Sequence, residues 1–206
     1  MPFESLQRRF RSQRMALLAR TVGLTRDTRV LDVGGTIDIW QLAPVMPRLV
    51  LLNRYEIGPG EAVVLGDGTS LPFADRSFDL VFSNSVIEHV GSRAQQARFA
   101  TEIARVGKQY WVQTPNRYFP IEQHLWTPIV HWLPRRWQAA ILKHSSVWQM
   151  VTNCSMVERD FYVNHYLESI RLLSASELRM LFPGATMVRE RLLGWTKSLI
   201  AWSGLP

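Results

Sequence analysis

The stretch RVLDVGGT, residues 29–36, decides how the chain is read. An apolar run that ends in Asp32 and passes at once into Gly34 and Gly35 is a strand delivering its end to a tight turn. Glycine has no Cβ and tolerates positive φ, so the backbone of such a turn can approach a ligand closely. A helix expected after Thr36 would add the positive end of its dipole. A dinucleotide site needs G-x-G-x-x-G after its first strand, and VLDVGGTIDIW does not supply it. The acid ahead of the glycines suits a ligand carrying an ammonium group rather than a pyrophosphate.

Outward from that turn, further apolar runs follow at RLVLLN (48–53), AVVLGD (62–67), FDLVFSN (78–84) and QYWVQT (109–114). Such near-continuous runs mark strands of a parallel sheet covered on both faces. Between the last two, residues 92–106 place Ala97, Phe99, Ala100, Ile103 and Ala104 at helical spacing, as a parallel crossover requires. Upstream, Leu6, Phe10, Leu17, Leu18 and Val22 predict an amphipathic helix that Gly23 stops. Downstream, SASELRMLFPG (174–184) predicts a helix capped by Ser174 or Ser176. ATMVRERLLG and TKSLIAWSG then close the sheet as a hairpin around Gly194 and Trp195. The predicted class is α/β, a single domain divided into an N-terminal helix (1–23), a core (29–116), an insertion (117–172) and a closing helix and hairpin (173–206).

The 206 residues suffice for one well-packed core. No apolar run reaches the ~18 positions that span a bilayer, and the first residues lack a signal-peptide apolar stretch, so an intracellular, cytoplasmic protein is expected. Cys154 is the single cysteine, which excludes an internal disulfide and a multi-cysteine zinc cluster. The net charge is +7, and its arginines are scattered apart from Arg8, Arg9, Arg11 and Arg14. A solvated basic surface is the stronger reading of that charge, with RNA or protein as acceptor the weaker one and DNA not expected.

The strand-end motifs VLDVGGT, Asn53, GDGTSLPF and SFDLVFSNSVIEHV resemble, in order and spacing, those of class I S-adenosylmethionine-dependent methyltransferases. The resemblance covers residues 29–116 well and implies a Rossmann-like, mostly parallel seven-stranded sheet with an antiparallel last strand. It implies S-adenosylmethionine as cofactor. Asp32, Gly34 and Gly35 would line the cofactor's methionine part and Thr36 would cap the next helix. Asn53 stands where a ribose-binding acid is usual, and an amide offers one oxygen acceptor. Asp67 resembles the acceptor of the adenine amino group, with Gly68 and Thr69 beside the ring, and Asn84 and Ser85 would face the sulfonium.

Methyl transfer to a hydroxyl needs alignment and often a base. His89 and His124 are the base candidates, and Glu122, two residues from His124, would share its face in an extended segment. Some quinone-biosynthesis O-methyltransferases carry E-x-x-E-H at the position of His89 and bind a divalent metal. Ser85 replaces the first acid here, so no metal is expected. The insertion holds Tyr118, Phe119, Trp126, Trp132, Trp137 and Trp148, as core or as a lid over an apolar substrate. Within it, HWLPRRWQAAILK (131–143) predicts a helix with Trp137, Ala140 and Ile141 on one side, read as a lid in preference to a peripheral membrane contact. The expected activity is O-methylation of a small or medium-sized metabolite, with an RNA or protein methyltransferase and a non-catalytic cofactor-binding protein as the alternatives. Oligomeric state is not legible.

Overall fold

A computed structural model of the chain describes residues 2–55, 63–144 and 155–204. Helix α1 (Pro2–Val22) leads into β1 (Arg29–Val33), the single turn α2 (Ile37–Trp40), β2 (Arg48–Asn53), β3 (Val63–Leu65) and β4 (Phe78–Asn84). Then come α3 (Arg93–Val106), β5 (Gly107–Pro115), α4 (Arg135–His144), α5 (Met156–Ser169), α6 (Ala175–Leu181), β6 (Thr186–Leu192) and β7 (Trp195–Trp202). The seven strands lie in the order β3-β2-β1-β4-β5-β7-β6. The first five run parallel, and β7 is antiparallel to both β5 and β6.

Alternation along the strands feeds two cores, one on each face of the sheet. On β4, Val81 joins Phe99 and Ile103 of α3 and Leu178 of α6, whereas Leu80 and Phe82 join Met15, Leu18 and Ala19 of α1. Trp111 and Val112 of β5 divide in the same way. The α1 stripe is therefore shifted from the expected one: Met15, Leu18 and Ala19 carry the packing, Leu17 and Val22 are partly buried, and the side chain of Leu6 lies outside the described residues. No described helix is long and apolar enough to cross a membrane.

Two expected elements are cut short. The strand expected over 62–67 is described over 63–65 and stops there because Asp67 turns back to pair with Ser70, while residue 62 lies outside the described residues. The helix after the diglycine turn has four residues, since Pro44 disfavours helical conformation at Ala43. Thr36 stands at its N-cap in extended conformation with no side-chain capping bond, so the expected cap is not made.

Residues 117–172 leave the sheet and return beside their exit, where Asn116 bridges Leu173. Their own core is Leu125, Val130, Leu142, Val163, Tyr166 and Ile170. Of the aromatic set, only Phe119 is buried; Tyr118, Trp132 and Trp137 are exposed, Trp126 is half-buried and Trp148 lies outside the described residues. The cause is the rotation of α4, which turns Gln138 and Leu142 inward and leaves Trp137 and Ala140 outside. The short aliphatic face fills the space between α4 and α5 without the indole rings.

Arg14 ties the first helix to the last hairpin. Its Nε and Nη2 donate to Glu190 Oε1 and Oε2 of β6 at 2.7 and 2.5 Å, with both side chains nearly buried. Removing one member of a buried pair strands the other charge. Arg14→Ala should thus destabilise the fold by about 3 kcal/mol. In urea unfolding, the Arg14→Ala/Glu190→Ala double variant should lose less than the sum of the single losses; strict additivity would show that the pair is not coupled.

Candidate active site

The connections from β1 and β4 depart toward opposite edges of the sheet, and a crevice opens at their C-terminal ends. A cleft of about 280 Å³ occupies it, lined among others by Gly34, Asn53, Asp67, Gly68, Ser85 and His89. Gly34 and Gly68 line it and Gly35 adjoins it, and none of the three has room for a Cβ. Gly34 has φ +82, and a Cβ there would stand 2.6 Å from Val86. A Cβ on Gly68 would meet Phe99 at 2.6 Å, and one on Gly35 would meet Asp32 Oδ2 at 2.0 Å.

That last contact locates Asp32. Its side chain is fully buried beneath Gly35 rather than in the cleft wall, which corrects the sequence expectation. Oδ2 accepts from Trp40 Nε1 at 2.8 Å, and Oδ1 has no partner among the described residues. Burial raises the carboxyl from an ordinary 3.8 to about 7, against the smaller opposing effect of the Trp40 hydrogen bond. A desolvated carboxylate with an open lone pair attracts a cation reaching through the turn.

Asn53 Nδ2 donates to Gly35 O at 2.8 Å, which fixes the turn and leaves the amide oxygen as acceptor. Asp67 Oδ1 accepts from the N–H and the hydroxyl of Thr69, both at 2.8 Å, and Oδ2 from Arg54 at 2.6 Å. Burial works against the Asp67 charge, but these donors hold its carboxyl below the usual range. Thr69 therefore supports Asp67 and is not itself part of the cleft wall, and neither are Gly35 and Thr36.

A second cavity, of about 240 Å³, adjoins the first through Ser85 and His89. It lies between α1 (Phe10, Arg11, Arg14), the end of β4 and the loop carrying His124. Asn84 belongs to this cavity, where its Oδ1 accepts from Arg14 Nη1. Ser85, with φ +58, bonds through its hydroxyl to Gln113 Oε1 at 2.9 Å.

The imidazoles converge at the junction. His89 Nε2 and His124 Nε2 are 3.2 Å apart, and His124 Nδ1 is 2.7 Å from Glu122 Oε1. Glu122 is buried and also accepts from the backbone N–H groups of His124 and Leu125. The pairing thus arises from a carboxylate-capped turn at 123–125, not from the extended segment expected. Glu88, equally buried, accepts from Thr114 Oγ1 through Oε2, and its Oε1 has no partner among the described residues. Burial pushes Glu88 up to about 7 and His89 down to about 4. For His124 burial opposes the proton, but the Glu122 hydrogen bond and the charges of Glu122 and Glu88 prevail and raise it.

Glu88, His89 and His124 each offer a ligand atom, all within 4.8 Å of one another. The expectation of no metal rested on the missing first acid at Ser85, whereas the third donor here comes from His124, 35 residues downstream of His89. Sequence reading also missed Arg14 and Gln113. Arg14 was grouped with a surface cluster, but Arg8, Arg9 and Arg11 are exposed while Arg14 is buried. The available signal was its spacing, four residues from both Phe10 and Leu18 on the apolar stripe.

The state of Asp32 gives a prediction with a definite sign. Its folded carboxyl keeps a proton to about pH 7, whereas an unfolded one ionises near 3.8, so stability is full below the latter and is lost as pH rises through 7. The loss is bounded at about 4 kcal/mol. Asp32→Asn should lower the fall in melting temperature between pH 5 and pH 8; equal falls in the two proteins would place the titration elsewhere.

Residues 45–110 match the profile of a methyltransferase domain. A protein of Encephalitozoon cuniculi (strain GB-M1), provisionally named a methyltransferase, is 41% identical over 88 residues, which are 41% of this chain and 42% of that one. This chain therefore aligns with less than half the length of that relative. An S-adenosylmethionine-dependent methyltransferase from Methanosarcina mazei superposes with a TM-score of 0.51 at 14% identity, covering 92% of this chain and 98% of its own. The magnesium protoporphyrin IX methyltransferase of Synechocystis, solved with its cofactor bound, superposes with 0.52 at 10% identity, covering 95% of this chain and 78% of its own. Strand order and antiparallel closing strand agree with these structures, so the chain has the fold of S-adenosylmethionine-dependent methyltransferases, and its residues 45–110 match a methyltransferase domain.

Proposed function

We propose that the chain binds S-adenosylmethionine in the first cleft and transfers its methyl group to an oxygen of a small or medium-sized acceptor held in the second cavity. The observation that carries this reading is the meeting of the two cavities at Ser85 and His89, with His124 and buried Glu122 at the junction. The cleft fits the cofactor's chemistry. Gly34 and Gly68 keep its floor at backbone height, and the open lone pair of Asp32 lies beneath the turn for an ammonium group. Asn53 offers one oxygen to a ribose hydroxyl. Asp67 Oδ2 serves an adenine amino group once Arg54 swings aside, a movement of a half-exposed ion pair that costs about 1 kcal/mol or less.

The bound cofactor supplies a methyl group already activated by its sulfonium. The chain's part is alignment of the acceptor and care of the hydroxyl proton. Arg14 holds Asn84 and Gln113 at the cavity wall, and α1 closes the cavity from one side. His124, oriented by Glu122, and His89 form the polar cluster that meets the acceptor hydroxyl. The basic-surface argument for an RNA acceptor weakens because Arg14 is spent internally on Glu190.

Isotopically methyl-labelled cofactor and a metabolite extract test the reading: labelled product is expected, and its absence together with no heat of cofactor binding in calorimetry overturns it. Asp67→Ala should weaken cofactor affinity about tenfold or more, the cost of one charge-assisted hydrogen bond, while Arg54→Ala leaves affinity unchanged or improved. His124→Ala should lower kcat by about 10²-fold or more with little change in cofactor Kd.

A further inference from the structure

The geometry points to a divalent transition-metal site formed by His89 Nε2, His124 Nε2 and Glu88 Oε1 at the junction of the two cavities. The inference rests on the proposed methyl transfer only for what the ion would do there; binding itself is read independently.

Four observations converge. First, the two Nε2 atoms face each other at 3.2 Å. With metal–nitrogen bonds of about 2.0–2.1 Å, that separation subtends roughly 100° at a shared ion, between the cis angles of octahedral and tetrahedral coordination. Second, Glu88 Oε1 is buried without a hydrogen-bond partner among the described residues and stands 3.9 Å from His89 Nε2. A hydrogen bond between the imidazoles accounts for the first contact but leaves this oxygen unexplained, whereas a cation accounts for both after a small rotation of the Glu88 side chain. Third, Glu122 takes the Nδ1 side of His124 at 2.7 Å, so a proton on Nδ1 leaves the Nε2 lone pair directed at the site. A carboxylate behind a ligating histidine fixes its tautomer and raises its basicity. Fourth, Glu88 and Glu122 are both fully or almost fully buried, and no Lys or Arg among the described residues forms an ion pair with either. His124 can pair with Glu122 only, so two interior carboxylates of like sign still call for further compensating charge, which a dication supplies at short range.

Two imidazoles and one carboxylate suit Zn²⁺, Mn²⁺ or Fe²⁺ better than Mg²⁺ or Ca²⁺, which favour all-oxygen sets. The remaining coordination positions open toward the cavity proposed for the acceptor. An ion there lowers the pKa of a hydroxyl that joins its coordination sphere. The O–H proton then leaves to solvent, the O–CH3 bond forms as the S–CH3 bond breaks, and the sulfonium departs as a neutral thioether.

The test uses the full chain freed of metal by chelator and dialysis, titrated with Mn²⁺ and Zn²⁺ by calorimetry, and with Mn²⁺ by electron paramagnetic resonance. One ion per chain is expected. His124→Ala and Glu88→Gln should abolish binding or weaken it by more than tenfold. Glu122→Gln, which keeps an oxygen for the turn, should weaken it about 10–100-fold, the range for an outer partner of a ligand. Circular dichroism of each variant separates loss of ligands from loss of fold. No binding to folded wild-type chain, or binding unchanged in folded Glu88→Gln and His124→Ala, overturns the site. One bound ion without methyl transfer to any acceptor refutes the proposed function and leaves the site standing, whereas full transfer by the metal-free chain refutes the ion's part in catalysis.

Discussion

The crevice depends on one constraint, the side-by-side parallel pairing of β1 and β4. Val30, Leu31 and Asp32 align with Leu80, Val81 and Phe82, so Asp32 is carried to the same level as the end of β4. Because the chain leaves β1 toward β2 and β4 toward β5, no connection covers the gap between their ends. Both cavities occupy that gap or its flank; Asn53, Asp67, Asn84, Ser85 and His89 reach it from a strand end or from the turn just beyond, and Arg14 from α1. A slip of one residue in this pairing would send Asp32 to the other face of the sheet and remove the turn from the cleft.

Burial sets the chemistry inside this frame. Asp32, Glu88 and Glu122 are carboxylates almost without solvent, and each is held by a different device: an indole N–H, a threonine hydroxyl, and two backbone amides with an imidazole. Asp32 and Glu88 each keep one oxygen without a partner among the described residues. Unsatisfied buried oxygens cost stability, so a fold that retains two of them beside open cavities is primed to favour positive ligands. Half-exposed Asp67 shows the contrast, since its donors satisfy it locally and keep it charged.

The sheet was legible because its strands are apolar on both faces and end in turn-forming residues, a signal that survives without knowledge of partners. β1, β2 and β4 fall on the expected spans, and the sequential order of motifs placed the cleft. Legibility failed where side chains act across long separations. Arg14 reads as one more surface cation until Glu190 is known to lie opposite it. His124 and His89 form a pair only after the loop beyond β5 folds back to the end of β4. The aromatic payload of residues 117–172 misled for a related reason: composition reports how much apolar surface exists, whereas the rotation of α4 decides that Leu142 enters the core and Trp137 does not. Asp32 reads from sequence as a feature of the turn, yet its depth below Gly35 goes with the packing of Trp40, which local sequence does not announce.

The clasp between Arg14 and Glu190 joins residues 176 positions apart. During synthesis the first helix therefore emerges long before the strand that will neutralise its buried guanidinium. Until β6 and β7 dock on β5, the face of the sheet bearing Trp111 lacks Ile200 and Trp202, and α1 has an incomplete seat. The wall that α1 gives to the second cavity thus depends on contacts of high sequence separation, which the local pairing of the five parallel strands does not need. The lining of the first cleft lies wholly before residue 91, whereas the second cavity also needs residues from the closing hairpin.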